Sequence, residues 1–378
     1  MKILFVSGGS RGAVFPLIPL ATAARNAGHE VFVGVTDNTL PTVASAGLPG
    51  VGLTSGTMPQ FMYKDRDLVP LVEPTDPDEW NLFNGHGMGR LAAASLPALV
   101  ELINRWKPDL IVGGSLSYAA PIVAAKFGIP FVRQALNMGE PANIDLGAAA
   151  ELERELAEYG FAEIPGEDLF IDICPPSVRG PEALPSQSMT YIPYNTHKPL
   201  EPWMYTRGDK PRVIVSAGSR VTADYELDPL RALVEKVAPL NLEMIIAVPD
   251  EVADALGPLP QDVRAGWLPV DVLMRSSDLL VHRAGGNTML TAMTAGIPQL
   301  VIPAMPKQVG MTITLAEYGA AKMLLDGKDD SPENIADSCR ELLEKPSYTE
   351  RSKEIAKEIA ALPSPHEVVG IIAKLVKD

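Results

Sequence analysis

The sequence predicts an α/β protein built from two halves of similar design. Short apolar runs end in glycine-rich turns, each turn opens an amphipathic stretch, and another apolar run follows. That order of strand, turn, helix and strand is the grammar of a parallel sheet. The order then restarts beyond a proline-rich, mixed-charge segment at 196–212, which reads as a linker.

In the first half, Ile3 to Val6 closes on Gly8-Gly9-Ser10-Arg11-Gly12. An amphipathic stretch from Val14 to Asn26 and a second apolar run from Glu30 to Val35 follow. The pattern returns at Leu110-Ile111-Val112 and at Phe131-Val132. Between them, 53–85 is rich in Pro, Asp and Met and reads as irregular, a length that in a compact domain marks function or mobility. In the second half, Val213-Ile214-Val215 ends in Ala217-Gly218-Ser219-Arg220 and Met244-Ile245-Ile246 follows. Leu279-Leu280-Val281 then runs into His282-Arg283-Ala284-Gly285-Gly286. A helix from about Thr288, a strand Leu300-Val301-Ile302 and charged helices near 332–345 and 349–361 complete the pattern. The expected domains are 1–203 and 204–378, with the last helix packing back on the first. Two such halves place a cleft between them, and ligands bind at the carboxyl ends of the strands.

Composition narrows the function classes. A chain of 378 residues with 46% hydrophobic and 21% charged side chains is an ordinary globular protein of about two domains. Its net charge of −15 argues against a nucleic-acid partner, which needs a basic footprint. Cys174 and Cys339 are too few for a disulfide framework or a structural zinc site. The apolar start is broken at Gly8, too early for a secretory leader. The longest uncharged stretch, Leu110 to Ala125, is too short to span a bilayer. A cytoplasmic protein with no membrane partner is expected. Nothing in the sequence decides for or against a homodimer.

Gly8 to Gly12 spells G-x-S-x-G, the nucleophile elbow of serine hydrolases, but an elbow serine normally follows several strands and Ser10 follows the first. A tight turn, or a loop facing the cleft, are the other readings. Neither a dinucleotide fingerprint nor a Walker A lysine is present. Val281 to Thr288 carries more information. There a strand enters a small-residue turn that opens a helix, whose free N–H groups and positive end attract an anion. His282 is expected to donate to that anion, and Ser219 is a second candidate donor. Trp267 either stacks on a flat base or fills the core, and Gln308 follows another strand end. Asp65-Arg66-Asp67 and Asp76-Pro77-Asp78 spell D-x-D in an acidic loop, and the five histidines show no metal-ligand spacing. No metal is expected.

Together these segments resemble the GT-B glycosyltransferases of family 1, over essentially the whole chain. Gly8 to Leu17 looks like the family's first loop, and Val281 to Pro298 like its bacterial H-H-G-G-x-G-T-T…A-G-x-P-Q signature. Trp267-Leu268-Pro269 is similar to its W-x-P, and Lys307-Gln308 falls where D-Q is common. Leu169 to Ser177 and Leu200 to Arg207 resemble the aromatic-polyketide branch, whose angucycline enzymes form C- or O-glycosides. The resemblance implies two Rossmann-like α/β domains facing each other across a cleft. It also implies an inverting, metal-independent transferase that needs no cofactor. Its donor would be a dTDP-deoxyhexose such as olivose, and its acceptor an aromatic polyketide.

Position by position, Trp267 would meet the thymine face and Leu268 its edge through backbone groups. His282, Ser219, Arg220 and the turn of Gly285, Gly286, Asn287 and Thr288 would hold the diphosphate, and Gln308 the sugar. Ser10 and Asn137 would line the acceptor pocket as the candidate catalytic pair. The chain departs from the family at Lys307, Arg283, Ala284 and Asn287. Ala13 is the largest departure, because many O-glycosyltransferases carry a His or Asp base there. Either the acceptor is an acidic phenol that needs little base, or another residue such as Asp145, or the loop at 53–85, supplies or orients one. A Ser10 hydrolase and a non-catalytic nucleotide-sugar sensor are the competing classes.

Overall fold

Two parallel sheets organise the chain in a computed structural model that describes residues 1–139, 142–181, 183–196, 198–216, 227–260, 262–303, 306–325 and 327–376. The first contains β1 (Lys2–Val6), β2 (Glu30–Thr36), β3 (Gly50–Thr54), β4 (Leu110–Gly114), β5 (Phe131–Gln134), β6 (Leu169–Asp172) and β7 (Gln187–Ser188). The second contains β8 (Arg212–Ser216), β9 (Glu243–Ala247), β10 (Val263–Gly266), β11 (Leu279–His282), β12 (Gln299–Val301) and β13 (Ala321–Met323). Their strand orders are β3-β2-β1-β4-β5-β6-β7 and β10-β9-β8-β11-β12-β13. Each therefore carries the doubly wound 3-2-1-4-5-6 order of the Rossmann fold, whose binding crevice opens where the order reverses. That point lies between β1 and β4 in one sheet and between β8 and β11 in the other.

Burial on both faces explains the unbroken apolar runs. Val213, Val215, Val281 and Leu300 pack on one side of the second sheet, and Ile214, Ile245 and Leu280 on the other. Strands covered by helices on both faces have no polar side to show. In β1, Ile3, Leu4 and Phe5 are all fully buried.

The chain divides into two compact units. One comprises Met1–Ile173, Ala183–Thr190 and Leu362–Asp378, and the other Cys174–Glu182 and Tyr191–Ala361. Residues 191–203, read above as the end of the first domain, thus cluster with the second. Their bonds show why. Asn195 Nδ2 donates to the Leu268 carbonyl at 2.8 Å, Trp267 Nε1 donates to the Thr196 carbonyl at 3.1 Å, and the Trp203 ring lies 4.6 Å from the Arg264 guanidinium. Within the first unit, the helix Pro365–Ile372 packs on the helix Ile18–Asn26. Its entry is fixed by the Thr190 hydroxyl donating to the Leu362 carbonyl at 2.6 Å and by a Ser364–Glu367 capping box.

The region 53–85 corrects the expectation of an irregular loop. It contains a helix, Met58–Tyr63, and the start of a second helix, Pro77–Trp106, that runs for 30 residues. Asp76 caps that long helix, its Oδ1 accepting the Asp78 and Glu79 N–H groups at 3.0 and 3.1 Å. Asp-Pro is therefore a start signal here, with proline in the first turn where its missing N–H costs nothing. Asp65 Oδ1 likewise closes a turn by accepting the Asp67 and Val69 N–H groups. The intervening segment is pinned rather than loose. Arg66 reaches Glu155 at 2.6 Å and Glu151 at 2.7 Å, and buried Arg90 reaches Glu151 at 3.0 Å.

The long helix packs closely against the helix Ala142–Glu151 through glycines. A Cβ at Gly147 would collide with the Leu82 carbonyl oxygen, and one at Gly85 with the Ile144 carbonyl oxygen. Alanine normally favours a helix over glycine by about 1 kcal/mol, but here the two backbones must separate. Gly147→Ala is expected to lower stability by about 1–3 kcal/mol, read by urea denaturation. A gain in stability would contradict the close approach.

Candidate active site

In the second unit the switch point of the sheet holds His282, the last residue of β11 and 1% exposed. Its ring Nε2 lies 3.0 Å from Gln299 Oε1 on the adjacent strand β12. Gln299 Nε2 donates in turn to the Met289 carbonyl at 3.2 Å. Burial pushes the imidazole pKa down to about 3, against a smaller raising effect of the Gln299 contact. The ring is neutral near pH 7. His282 Nδ1 is buried and has no hydrogen-bond partner among the described residues.

Beyond His282 the chain turns through Ala284 and Gly285 into the helix Gly286–Ala295. Gly285 is the N-cap and supplies no side chain, so no side-chain oxygen of the cap covers the first turn of the helix. Ala284 holds the left-handed conformation, φ 53°, and is 1% exposed. Alanine at the place of the signature's first glycine therefore keeps a glycine-like backbone at the cost of strain. Ala284→Val would add β-branching to that strain in a closed space and is expected to cost about 2–4 kcal/mol. Ala284→Gly should stay within about 1 kcal/mol of the parent, because relief of strain offsets lost chain stiffness. Paired thermal melts read both.

A buried tyrosine steadies the turn. The Tyr191 hydroxyl donates to the Asn287 carbonyl at 3.2 Å and lies 3.4 Å from Thr291 Oγ1, and burial pushes its pKa up to about 12. At the end of β10, Trp267 is partly buried, and its backbone N–H donates to Asp250 Oδ1 at 2.9 Å. With its indole N–H bound to Thr196, Trp267 is held at both ends. The Leu268 carbonyl already accepts from Asn195 Nδ2 and from the Val270 N–H. Its two lone pairs are occupied, so a base edge could take that oxygen only by displacing Asn195. Gln308 is mostly buried in the first turn of the helix Pro306–Tyr318, which follows β12. Ser219 and Arg220 lie outside the described residues.

In the first unit, Ser10 is the N-cap of the short helix Arg11–Val14, and its Oγ accepts the Ala13 N–H at 3.3 Å. That is a capping role, with the hydroxyl turned to the backbone rather than to a base. A pocket at the carboxyl ends of β1, β4 and β5 is lined by Gly8, Ala13, Leu17, Ser115, Ser117 and Ala135, among others. Asn137 follows β5, and its Oδ1 is buried without a partner among the described residues, as is Ser117 Oγ. Asp145 is not a pocket-lining residue. It accepts from the Tyr118 hydroxyl at 2.5 Å and lies 3.7 Å from Arg133 Nη2. Among the described residues no cluster of metal-binding side chains occurs, and no helix is long and apolar enough to cross a membrane.

Residues 22–218 match the N-terminal domain of the family described as erythromycin biosynthesis protein CIII-like, and 231–375 match its C-terminal domain. The chain belongs to this family. L-demethylnoviosyl transferase of Streptomyces niveus is 30% identical, covering 99% of this chain and 98% of its own. Aclacinomycin-T 2-deoxy-L-fucose transferase of Streptomyces galilaeus is 27% identical, covering 100% and 97%. Among solved structures, a Streptomyces sp. SF2575 glycosyltransferase complexed with thymidine diphosphate superposes with a TM-score of 0.87 at 32% identity, covering 99% of each chain. The CIII-like chain is thus a glycosyltransferase of the GT-B class, and the hydrolase and sensor readings fall away.

Several residues that shape this CIII-like site escaped sequence reading. Gln299, Tyr191, Asn195 and Asp250 act through hydrogen bonds across sequence gaps of 17 to 96 residues. Only the pairing of strands brings such residues together. For Gln299 a signal did exist, since it is the Q of the A-G-x-P-Q segment.

Proposed function

We propose that this glycosyltransferase moves a deoxyhexose of the olivose type from dTDP to a phenolic ring of an aromatic, angucycline-type polyketide. The transfer would invert the anomeric centre and need no metal. The donor assignment is supported by the turn after His282, which offers backbone N–H groups and a helix end to a diphosphate. It is supported too by the thymidine diphosphate in the solved relative. A deoxysugar fits the 2-deoxy-L-fucose named for the Streptomyces galilaeus relative. Asn137 and Ser117 would orient the acceptor, and Gln308 the sugar. The protein would work in the cytoplasm, where its two buried thiols, Cys174 and Cys339, stay reduced.

The observation that carries the acceptor class is Ala13, which offers no base where many O-glycosyltransferases carry one and lines a small pocket at the carboxyl ends of β1, β4 and β5. The pocket's lining residues Gly8, Ala13, Pro16, Leu17, Gly114, Ser115, Leu116, Ser117, Ala135 and Leu136 include no titratable side chain. An aliphatic alcohol, with a pKa far above neutrality, needs a base at the attacking oxygen. A phenol ionises readily and can attack through oxygen or through its electron-rich ring carbon. Leaving-group stabilisation by preorganised donors then supplies much of the catalysis.

Incubation with dTDP-olivose and matched polycyclic acceptors tests this. Free phenols should yield a glycoside by mass, and the same rings with every phenol methylated should not. Equal transfer to a purely aliphatic alcohol would overturn the acceptor assignment. Survival of the product in hot acid distinguishes a C-glycoside from an O-glycoside.

A further inference from the structure

We propose that Gln299 is a positioning residue that makes nucleotide-sugar binding proton-coupled. It holds His282 as the Nε2–H tautomer and leaves Nδ1 able to meet a diphosphate only after taking up a proton. The inference rests on the reading of the second unit as the donor site.

The geometry runs in one direction along a short chain of bonds. Gln299 is 1% exposed, and its amide touches the Met289 carbonyl on one side and the His282 ring on the other. A carbonyl only accepts, so the amide nitrogen faces Met289 and the amide oxygen faces the ring. That oxygen needs an N–H, and a neutral imidazole has one. The hydrogen is therefore on Nε2, and Nδ1 carries a lone pair. This lone pair is buried and unpartnered among the described residues, four positions before the helix Gly286–Ala295. A lone pair repels phosphate oxygen.

Two routes could turn Nδ1 into a donor. Exchanging the tautomer would swing the Gln299 oxygen onto the Met289 carbonyl, two acceptors 3.2 Å apart with no hydrogen between them. Proton uptake leaves both existing bonds intact. The proton comes from solvent, the imidazole becomes an imidazolium, and no other bond forms or breaks. Nδ1–H then donates to phosphate while Nε2–H still donates to Gln299, a charge-assisted arrangement. Among the described residues, the neighbours of His282 bring no competing titratable group: Ser216 pairs with it from β8 and Val301 from β12, Gln299 meets its ring, and the Met289 carbonyl holds Gln299. The adjacent charged residue in sequence is Arg283.

Calorimetric titration of dTDP-glucose, without acceptor, in three buffers of different ionisation enthalpy at pH 6–8 tests the proposal. A sugar-esterified diphosphate has no group of its own that titrates there. The expected result is uptake approaching one proton per site, with Kd rising up to about tenfold per pH unit. Gln299→Met lets the ring take the Nδ1–H tautomer unaided, so uptake should fall towards zero and the pH dependence flatten. A structural role alone would shift Kd equally at every pH. Buffer-independent heats and a flat Kd in the parent protein would overturn the proposal, whether or not the variant folds. If His282→Ala bound the nucleotide as tightly as the parent, the donor-site reading would fall first, a distinct result.

Discussion

A His282→Ala enzyme is expected to turn over about 10²–10³ times more slowly than the parent, the usual cost of deleting one donor to developing negative charge, here the ring once it has taken up its proton. The ring ends β11 beside the open helix end, where the departing diphosphate would gather charge. Initial rates with donor and acceptor both saturating measure the effect, and an unchanged kcat would remove His282 from the machinery. The variant also has a signature in stability. Folded His282 takes a proton only near pH 3, whereas the unfolded side chain does so near its ordinary value of 6.5. Above pH 6.5 both states are neutral and the residue adds no pH dependence. Below it the unfolded state binds the extra proton, so stability falls by about 1.4 kcal/mol per pH unit as pH drops towards 3. Urea denaturation at pH 7.5, 6 and 5 should show a shallower acid loss in His282→Ala than in the parent. At pH 7.5 the variant should be less stable by about 2–5 kcal/mol from the cavity alone, so rates are compared well below its melting temperature.

Arg212→Ala is expected to lower stability by about 3–5 kcal/mol, the range for removing one partner of a buried ion pair. Arg212 opens β8 at 2% exposure, and its guanidinium is fully engaged. Nε and Nη2 reach the two Glu243 oxygens at 2.9 and 3.2 Å, Nη1 reaches Ser276 Oγ at 2.6 Å, and Nη2 also reaches the Trp203 carbonyl at 2.9 Å. Deleting it leaves the Glu243 carboxylate, 14% exposed, with the more exposed Arg264 as its one remaining ionic partner among the described residues. The Trp203 carbonyl and Ser276 hydroxyl lose a donor as well. The urea midpoint reads the loss, and a shift worth less than about 1 kcal/mol, the scale of a surface pair, would mean that water reaches the cluster. Replacing both charges with well-packed apolar residues should recover much of the loss.

The strands were legible because a parallel sheet covered on both faces writes itself as uninterrupted Val, Ile and Leu, as in Val213 to Val215. The turn from His282 to Thr288 was legible because glycine and small residues between a strand and a helix have few other uses. The long helix from Pro77 was not. Gly85, Gly87 and Gly89 look like helix breakers in sequence, yet Gly85 and Gly89 make room for a neighbouring helix, and Gly87 for the Met62 side chain. The state of His282 was also hidden. Residue type suggested a donor, but the proton's position is set by Gln299 and a helix carbonyl, and neither is near in sequence. Ser10 shows the opposite failure, in which a motif spelled chemistry and the backbone used the hydroxyl as a cap.

Residues 365–372 complete the packing of the helix Ile18–Asn26, although the whole of the second unit is encoded between them. Synthesis proceeds from the amino terminus, and domains tend to fold as units while the chain emerges from the ribosome. The second unit is contained within Cys174–Ala361 and can close as soon as that span is available. The first unit must wait, with one face of its early helix bare, until the closing helix has been made. The unit begun first is therefore completed second, and a chain stalled before residue 362 would carry a finished second unit and an unfinished first one.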